Sequence, residues 1–224
     1  MNDLLKGPSA PYVVPFGVFM VLLALQNHIP LPQAAEYILR CAILTAVLWY
    51  FSRHVITFRT VRPLASIAIG LAVFVIWVGP DALFPGYRQH WLFSNSITGQ
   101  VTESIGDAAR QDIVALLFRT IRAVILVPII EELFWRAWAL RWVADSDFER
   151  HPLGYYNATS FWICAALFAA EHGPFWEVGL ICGVVYNWWM GQTRSLGDLI
   201  LTHAVTNGAL CAYVIATGKW GFWM

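Results

Sequence analysis

Val124-Ile-Leu-Val-Pro-Ile-Ile-Glu-Glu-Leu-Phe-Trp-Arg-Ala-Trp-Ala-Leu140 places two adjacent carboxylates, Glu131 and Glu132, inside a stretch apolar enough to lie in a membrane, with Arg136 one helical turn further on. Charged side chains at bilayer depth are costly and are kept where they pair, face a cavity or carry out chemistry. The segment therefore predicts both a membrane helix and a functional site on it. Downstream, two more apolar stretches each carry a histidine, Phe168-Ala-Ala-Glu-His172 and His203-Ala-Val-Thr-Asn207. Carboxylates and two histidines in otherwise apolar helices suggest a buried hydrolytic site.

The rest of the chain agrees with this setting. Of its 224 residues 58% are apolar and only 12% charged, which is far from a soluble domain and reads as a polytopic membrane protein. The expected fold is all-α, a transmembrane helical bundle of about seven membrane helices. Apolar segments fall at roughly 11–26, 36–56, 64–79, 111–143, 159–172, 176–190 and 196–217. Residues 1–224 read as a single integral membrane domain with its catalytic core at about 111–217. Some runs are shorter than the roughly 20 residues of a perpendicular span, and tilt, interfacial extension or one re-entrant segment would accommodate them. The polar segment 80–110 reads as a loop with an interfacial helix.

Fourteen basic and fourteen acidic residues cancel, leaving no basic surface for nucleic acid and no acidic tail. Cys41, Cys164, Cys182 and Cys211 each lie inside an apolar stretch and behave as small hydrophobes, so neither a disulfide framework nor a cysteine metal site is expected. Lys6 precedes an apolar run as in a signal peptide, but no small-x-small site follows before Gln26-Asn27-His28, so this segment is expected to be a retained helix.

Arg53, Arg59 and Arg62 cluster between the second and third segments. By the bias of short cytoplasmic loops toward positive charge they predict a cytoplasmic N-terminus, with loop 80–110 outside and loops 144–158 and 191–195 inside. Counted from that inner face, Glu131, His172 and His203 lie roughly 18, 20 and 12 Å deep at about 1.5 Å per residue. Three helices can thus bring them together near mid-membrane.

On an α-helix, Glu132 and Arg136 share a face, while Glu131 projects about 100° away with Trp135 and Trp138. A structural Glu132–Arg136 bridge explains one carboxylate and leaves Glu131 over. A carboxylate unpaired in low dielectric must take up a proton, meet water or meet a cation, and a glutamate beside water is what a general base requires. Phe168 lies one turn before His172 on its face; a lone histidine in an apolar helix is often only a packing residue. His203 and Asn207 share a face, and Asn207 would either fix the imidazole or join it as an oxyanion donor. Ser195-Leu-Gly-Asp198 opens their helix like a capping box, which makes Asp198 a cap rather than a catalytic acid. Gly179 and Gly183 form a small-xxx-small pair that favours close helix contact. Glu171 and Glu177 flank the break after the fifth segment and read as interfacial.

Glu131-Glu132-xxx-Arg136, Phe168-xxx-His172 and His203-xxx-Asn207, in that order, resemble the three-motif signature of the CPBP family, which includes CAAX prenyl endopeptidases and bacteriocin-processing glutamic intramembrane proteases. The resemblance covers roughly 111–215. The Val-Pro-Ile-Ile run before the glutamates also resembles the CAAX-protease-related branch of bacterial exosortase systems. The resemblance implies a helical-bundle endopeptidase of the bacterial inner membrane that needs no metal or other cofactor. Its partners would be membrane lipids, a membrane-associated protein or peptide substrate and an exosortase system. Mapped by motif, Glu131 would be the base, His172 its partner, and His203 with Asn207 the oxyanion site, supported by Glu132, Arg136 and Phe168. Two other readings compete. A carboxylate with two histidines also suits a zinc-dependent membrane hydrolase, although no His-Glu-x-x-His run occurs. A non-catalytic membrane binding or scaffold protein could use the same polar cluster for binding.

Overall fold

The computed structural model describes residues 7–26, 28 and 30–223. Lys6 and Asn27, which entered the reading of the first segment, lie outside the described residues. Among the described residues, seven long helices account for the architecture: α1 (Ala10–Ala24), α2 (Gln33–Ser52), α3 (Pro63–Leu83), α4 (Ile113–Trp142), α5 (Ala158–Ala170), α6 (Trp176–Thr193) and α7 (Leu196–Thr217). No β-strand occurs among them beyond an isolated bridge between Asn95 and Gly99. Four helices, α2, α3, α4 and α7, are long and apolar enough to cross a membrane, and α1 and α5 are shorter apolar helices. Side chains such as Leu64 and Ile113 are 82% and 76% exposed, an outward apolar surface that lipid rather than water would cover. The molecule is an all-α membrane helical bundle.

Two boundary differences bear on the site. Helix α3 runs on through Gly79, Pro80 and Asp81 to Leu83, because Asp81 is neutralised by Arg88, whose Nε lies 2.9 Å from its carboxylate. Helix α5 stops at Ala170, and Glu171 and His172 form a turn before a short 3-10 turn, Gly173–Phe175.

The helix that carries the glutamates is not a plain α-helix. Arg122–Leu126 and Glu132–Ala139 are wound as π-turns. Pro128 offers no N–H to the carbonyl of Val124 and crowds it, so the wider winding ahead of the proline relieves both problems. Such turns interrupt α-helices chiefly at functional sites.

Close packing then fixes the neighbours. A Cβ on Gly179 would lie 3.2 Å from the His172 Cβ, and one on Gly183 would lie 3.1 Å from the Cα of Ala165. The glycine pair thus lets α6 press against α5 and the turn that holds His172. Helix α7 packs along α3, where a Cβ on Gly70 would meet the Thr202 carbonyl at 2.5 Å. The Asp198 carboxylate reaches to the start of another helix: it accepts from the backbone N–H groups of Val61 and Arg62, just ahead of α3, at 2.6 and 2.9 Å and from the Ser66 hydroxyl at 2.7 Å. It therefore ties the start of α3 to α7, while Ser195 caps α7 by accepting from the Asp198 N–H.

Candidate active site

His203 stands between the two glutamates. Its Nδ1 is 2.8 Å from Oε1 of Glu132, and its Nε2 is 4.0 Å from Oε2 of Glu131. Ionised Glu132 can only accept, so Nδ1 carries a proton and donates it. The same Oε1 accepts from Arg136 Nη1 at 3.3 Å. Glu132 and Arg136 side chains are fully buried, and the guanidinium lies over the rings of Phe168 and Tyr186 at 4.2 and 5.2 Å. The pairing of Glu132 with Arg136 is thus extended by a second donor, the His203 imidazole, and two aromatic faces. With Glu132–Ala139 wound as a π-turn, the α-helical angle of about 100° between the adjacent glutamates does not describe this segment, and both carboxylates reach the same imidazole.

His172 is oriented by the way α5 ends. The His172 backbone N–H turns to the Ala169 carbonyl at 3.0 Å, leaving the Phe168 carbonyl to the imidazole, whose Nδ1 lies 2.6 Å away. A carbonyl cannot donate, so the proton sits on Nδ1 and the lone pair is on Nε2. Phe168 and Trp77 hold the ring at centroid distances of 4.6 and 5.2 Å. The turn itself is anchored from outside by Arg88, which donates to the Pro174 carbonyl and contacts the Glu177 carboxylate at 2.6 Å.

Asn207 does not fix the imidazole of His203. Its Nδ2 donates to the Ala123 carbonyl at 2.8 Å, in the first π-turn of α4. That leaves the second amide hydrogen uncommitted. Beside it, Tyr186 donates to the Thr206 hydroxyl at 2.8 Å and Thr206 to the Gly70 carbonyl at 2.9 Å, which ties α6, α7 and α3 around His203.

Glu131, His172, His203 and Asn207 all line one cavity of about 330 Å³, together with Phe168. Glu132 and Arg136 stand behind its wall. Oε2 of Glu131 is buried and, among the described residues, has no hydrogen-bond partner, His203 Nε2 standing off at 4.0 Å. Glu171, expected at the interface, lines this cavity instead and accepts from the Trp135 indole N–H at 3.0 Å. The only sequence signal for it was its position beside His172 in a break between helices. Among the described residues no three His, Cys, Asp or Glu side chains group as metal ligands.

A family model described as type II CAAX prenyl endopeptidase Rce1-like matches residues 113–209. Over this region the chain is similar to the Rce1-like family. The match begins at the first turn of α4 and ends just beyond Asn207, so it takes in all three motifs. Its helices are those of an integral membrane protein, and the region that holds the three motifs is similar to CAAX-type intramembrane proteases. No curated protein and no solved structure matches the chain.

Proposed function

We propose that this protein is an intramembrane glutamic endopeptidase that hydrolyses a peptide bond of a membrane-associated protein or peptide. The observation that carries the reading is the single cavity lined by Glu131, His172, His203 and Asn207, with Oε2 of Glu131 buried and without a hydrogen-bond partner among the described residues. An acceptor oxygen of this kind and the lone pair on His172 Nε2 can hold a water and take its proton. In the proposed sequence the water oxygen bonds to the scissile carbonyl carbon and its proton passes to Glu131. The carbonyl oxygen becomes an oxyanion that accepts from the free amide hydrogen of Asn207 and from His203 Nε2–H. His203 can give that hydrogen only when both ring nitrogens are protonated, and once Glu131 holds the water's proton it is Glu132, 2.8 Å from Nδ1, that supplies the negative charge facing that form. The C–N bond then breaks and Glu131 returns the proton to the leaving amine.

The arginines at 53, 59 and 62 favour a cytoplasmic N-terminus in a bacterial inner membrane, and the Val127-Pro-Ile-Ile130 run favours a link to an exosortase system. Cleavage of a membrane peptide by the full chain in detergent, with metal content measured on the same sample, tests the reading. Cleavage that Glu131→Gln abolishes and chelators spare is the expected result. Stoichiometric zinc on His172 and His203, with activity lost on chelation and restored by metal, would assign a zinc hydrolase. Full activity of Glu131→Gln in cells would assign a non-catalytic binding protein.

A further inference from the structure

The same cavity has a second charged wall that no motif covers. Arg122, on the first π-turn of α4, is only 5% exposed and lines the cavity. Among the described residues no ion pair or side-chain hydrogen bond of Arg122 is found; its guanidinium lies over the Tyr37 ring at 5.6 Å, and the Cys41 thiol is also a neighbour. The neighbouring arginines are differently placed. Arg40 is paired with Glu36 at 2.5 Å, and Arg119 donates to the Tyr37 hydroxyl, to Ser104 and to the Trp223 carbonyl. They add like charge beside Arg122 rather than neutralising it. A guanidinium taken out of water without a counter-ion is costly, and the cost is recovered when an anion arrives. The charge left over is one, and the fork of a guanidinium matches the two oxygens of a carboxylate.

From this we infer that Arg122 is the carboxylate-binding end of the cavity, engaging a carboxylate of the bound peptide while Glu131 faces the bond to be cut. This rests on the proposed peptidase reading. Arg122 and Glu131 are nine residues apart on α4, about 13 Å of helix rise. An extended chain advances about 3.4 Å per residue, so the carboxylate belongs to a residue some way along the peptide and not to the bond attacked. The Phe222 and Trp223 side chains and Leu210, which also line the cavity, give the intervening residues apolar contacts.

The test measures binding, so it does not depend on turnover. Full-length protein carrying Glu131→Gln is titrated in detergent with a fluorescent apolar peptide in three forms: the free C-terminal acid, its C-terminal amide, and an amide ending in glutamate. At least one carboxylate form is expected to bind at least about tenfold more tightly than the plain amide, as a charge-assisted bidentate contact would give. Selective binding of the free acid assigns the chain end, and equal binding of the glutamate amide assigns a side chain. Adding Arg122→Gln should erase the preference, while Arg122→Lys, which keeps the charge without the fork, should keep part of it. Equal binding of all three forms, no detectable binding of any, or a preference that survives Arg122→Gln in folded protein overturns the inference. Cleavage of the peptide by the Glu131→Gln protein would instead overturn the catalytic reading and leave the binding result standing.

Discussion

The two nitrogens of His203 face regions of opposite character. On the Nδ1 side Glu132 and Arg136 pair with each other away from the cavity, beside the Phe168 and Tyr186 rings, although Glu132 Oε2 and Arg136 Nε and Nη2 have no hydrogen-bond partner among the described residues. On the Nε2 side Glu131 borders a cavity and keeps an oxygen with no hydrogen-bond partner among those residues. Two residues adjacent in sequence thus divide the work, one closed into structure and one left open to a reactant. A closed ion network stabilises only while it stays complete, whereas an open carboxylate is tolerated because something else will occupy the space beside it.

The largest expected effect separates the two sides directly. Glu131→Gln keeps the shape of the side chain and removes the base, so turnover should fall by about 10²–10⁴, with thermal stability in detergent equal to or above that of the unaltered protein. Glu132→Gln should do the converse. It leaves Arg136 buried without its counter-charge, at a cost of about 3–5 kcal/mol, and is read as a lowered thermal midpoint and yield before any assay of cleavage. If Glu132→Gln is stable but inert while Glu131→Gln cleaves normally, the division is the reverse of the one drawn here.

How much of this division could be read in the sequence depends on how local its causes are. The extents of α4 and α7 follow from apolar runs, since expected ranges of 111–143 and 196–217 correspond to Ile113–Trp142 and Leu196–Thr217. The family resemblance was legible in the order of the three motifs and agrees with the match over residues 113–209. The π-turns were not legible, because side-chain periodicity is read on the assumption of i to i+4 bonding and only Pro128 hints otherwise. Glu171 was misplaced because its burial depends on where α5 ends and on an indole from α4, both long-range facts. Asp198 was read as a cap of its own helix; a capping signal carries no information on whether a neighbouring helix start competes for the carboxylate.

The open side also includes Asn207, whose amide is anchored on one hydrogen by the Ala123 carbonyl. Asn207→Ala should lower turnover by about 10²-fold if the other hydrogen meets the oxyanion, with KM little changed. A rise in KM at constant kcat would make Asn207 a binding group instead. A region away from His203 gives a structural control. Asp198→Ala removes the acceptor for the Val61 and Arg62 N–H groups just ahead of α3 and for the Ser66 hydroxyl, and should cost about 1–2 kcal/mol of stability, with the turnover per folded molecule nearly unchanged. Equal loss of turnover per folded molecule in Asp198→Ala and Asn207→Ala would mean that general loosening of α7, not oxyanion contact, accounts for both.

The smallest expected effect decides where the open side ends. Trp135→Phe removes the indole donor to Glu171 but retains an aromatic ring against Phe16 and Phe168, whose centroids lie 5.7 and 6.2 Å from that of Trp135. Loss of one hydrogen bond costs about 0.5–1.5 kcal/mol, and less here, where a replacement is at hand, because Glu171 borders the cavity and can take water as a substitute donor. If Glu171 is only part of the wall, turnover should change by less than about threefold at a thermal midpoint a few degrees lower. A loss of turnover as deep as that of Glu131→Gln, in protein that remains folded, would place a third carboxylate among the groups that act on the substrate. The Glu171→Gln variant would then be expected to reproduce that loss, whereas a wall residue substituted in the same way would leave turnover close to that of Trp135→Phe.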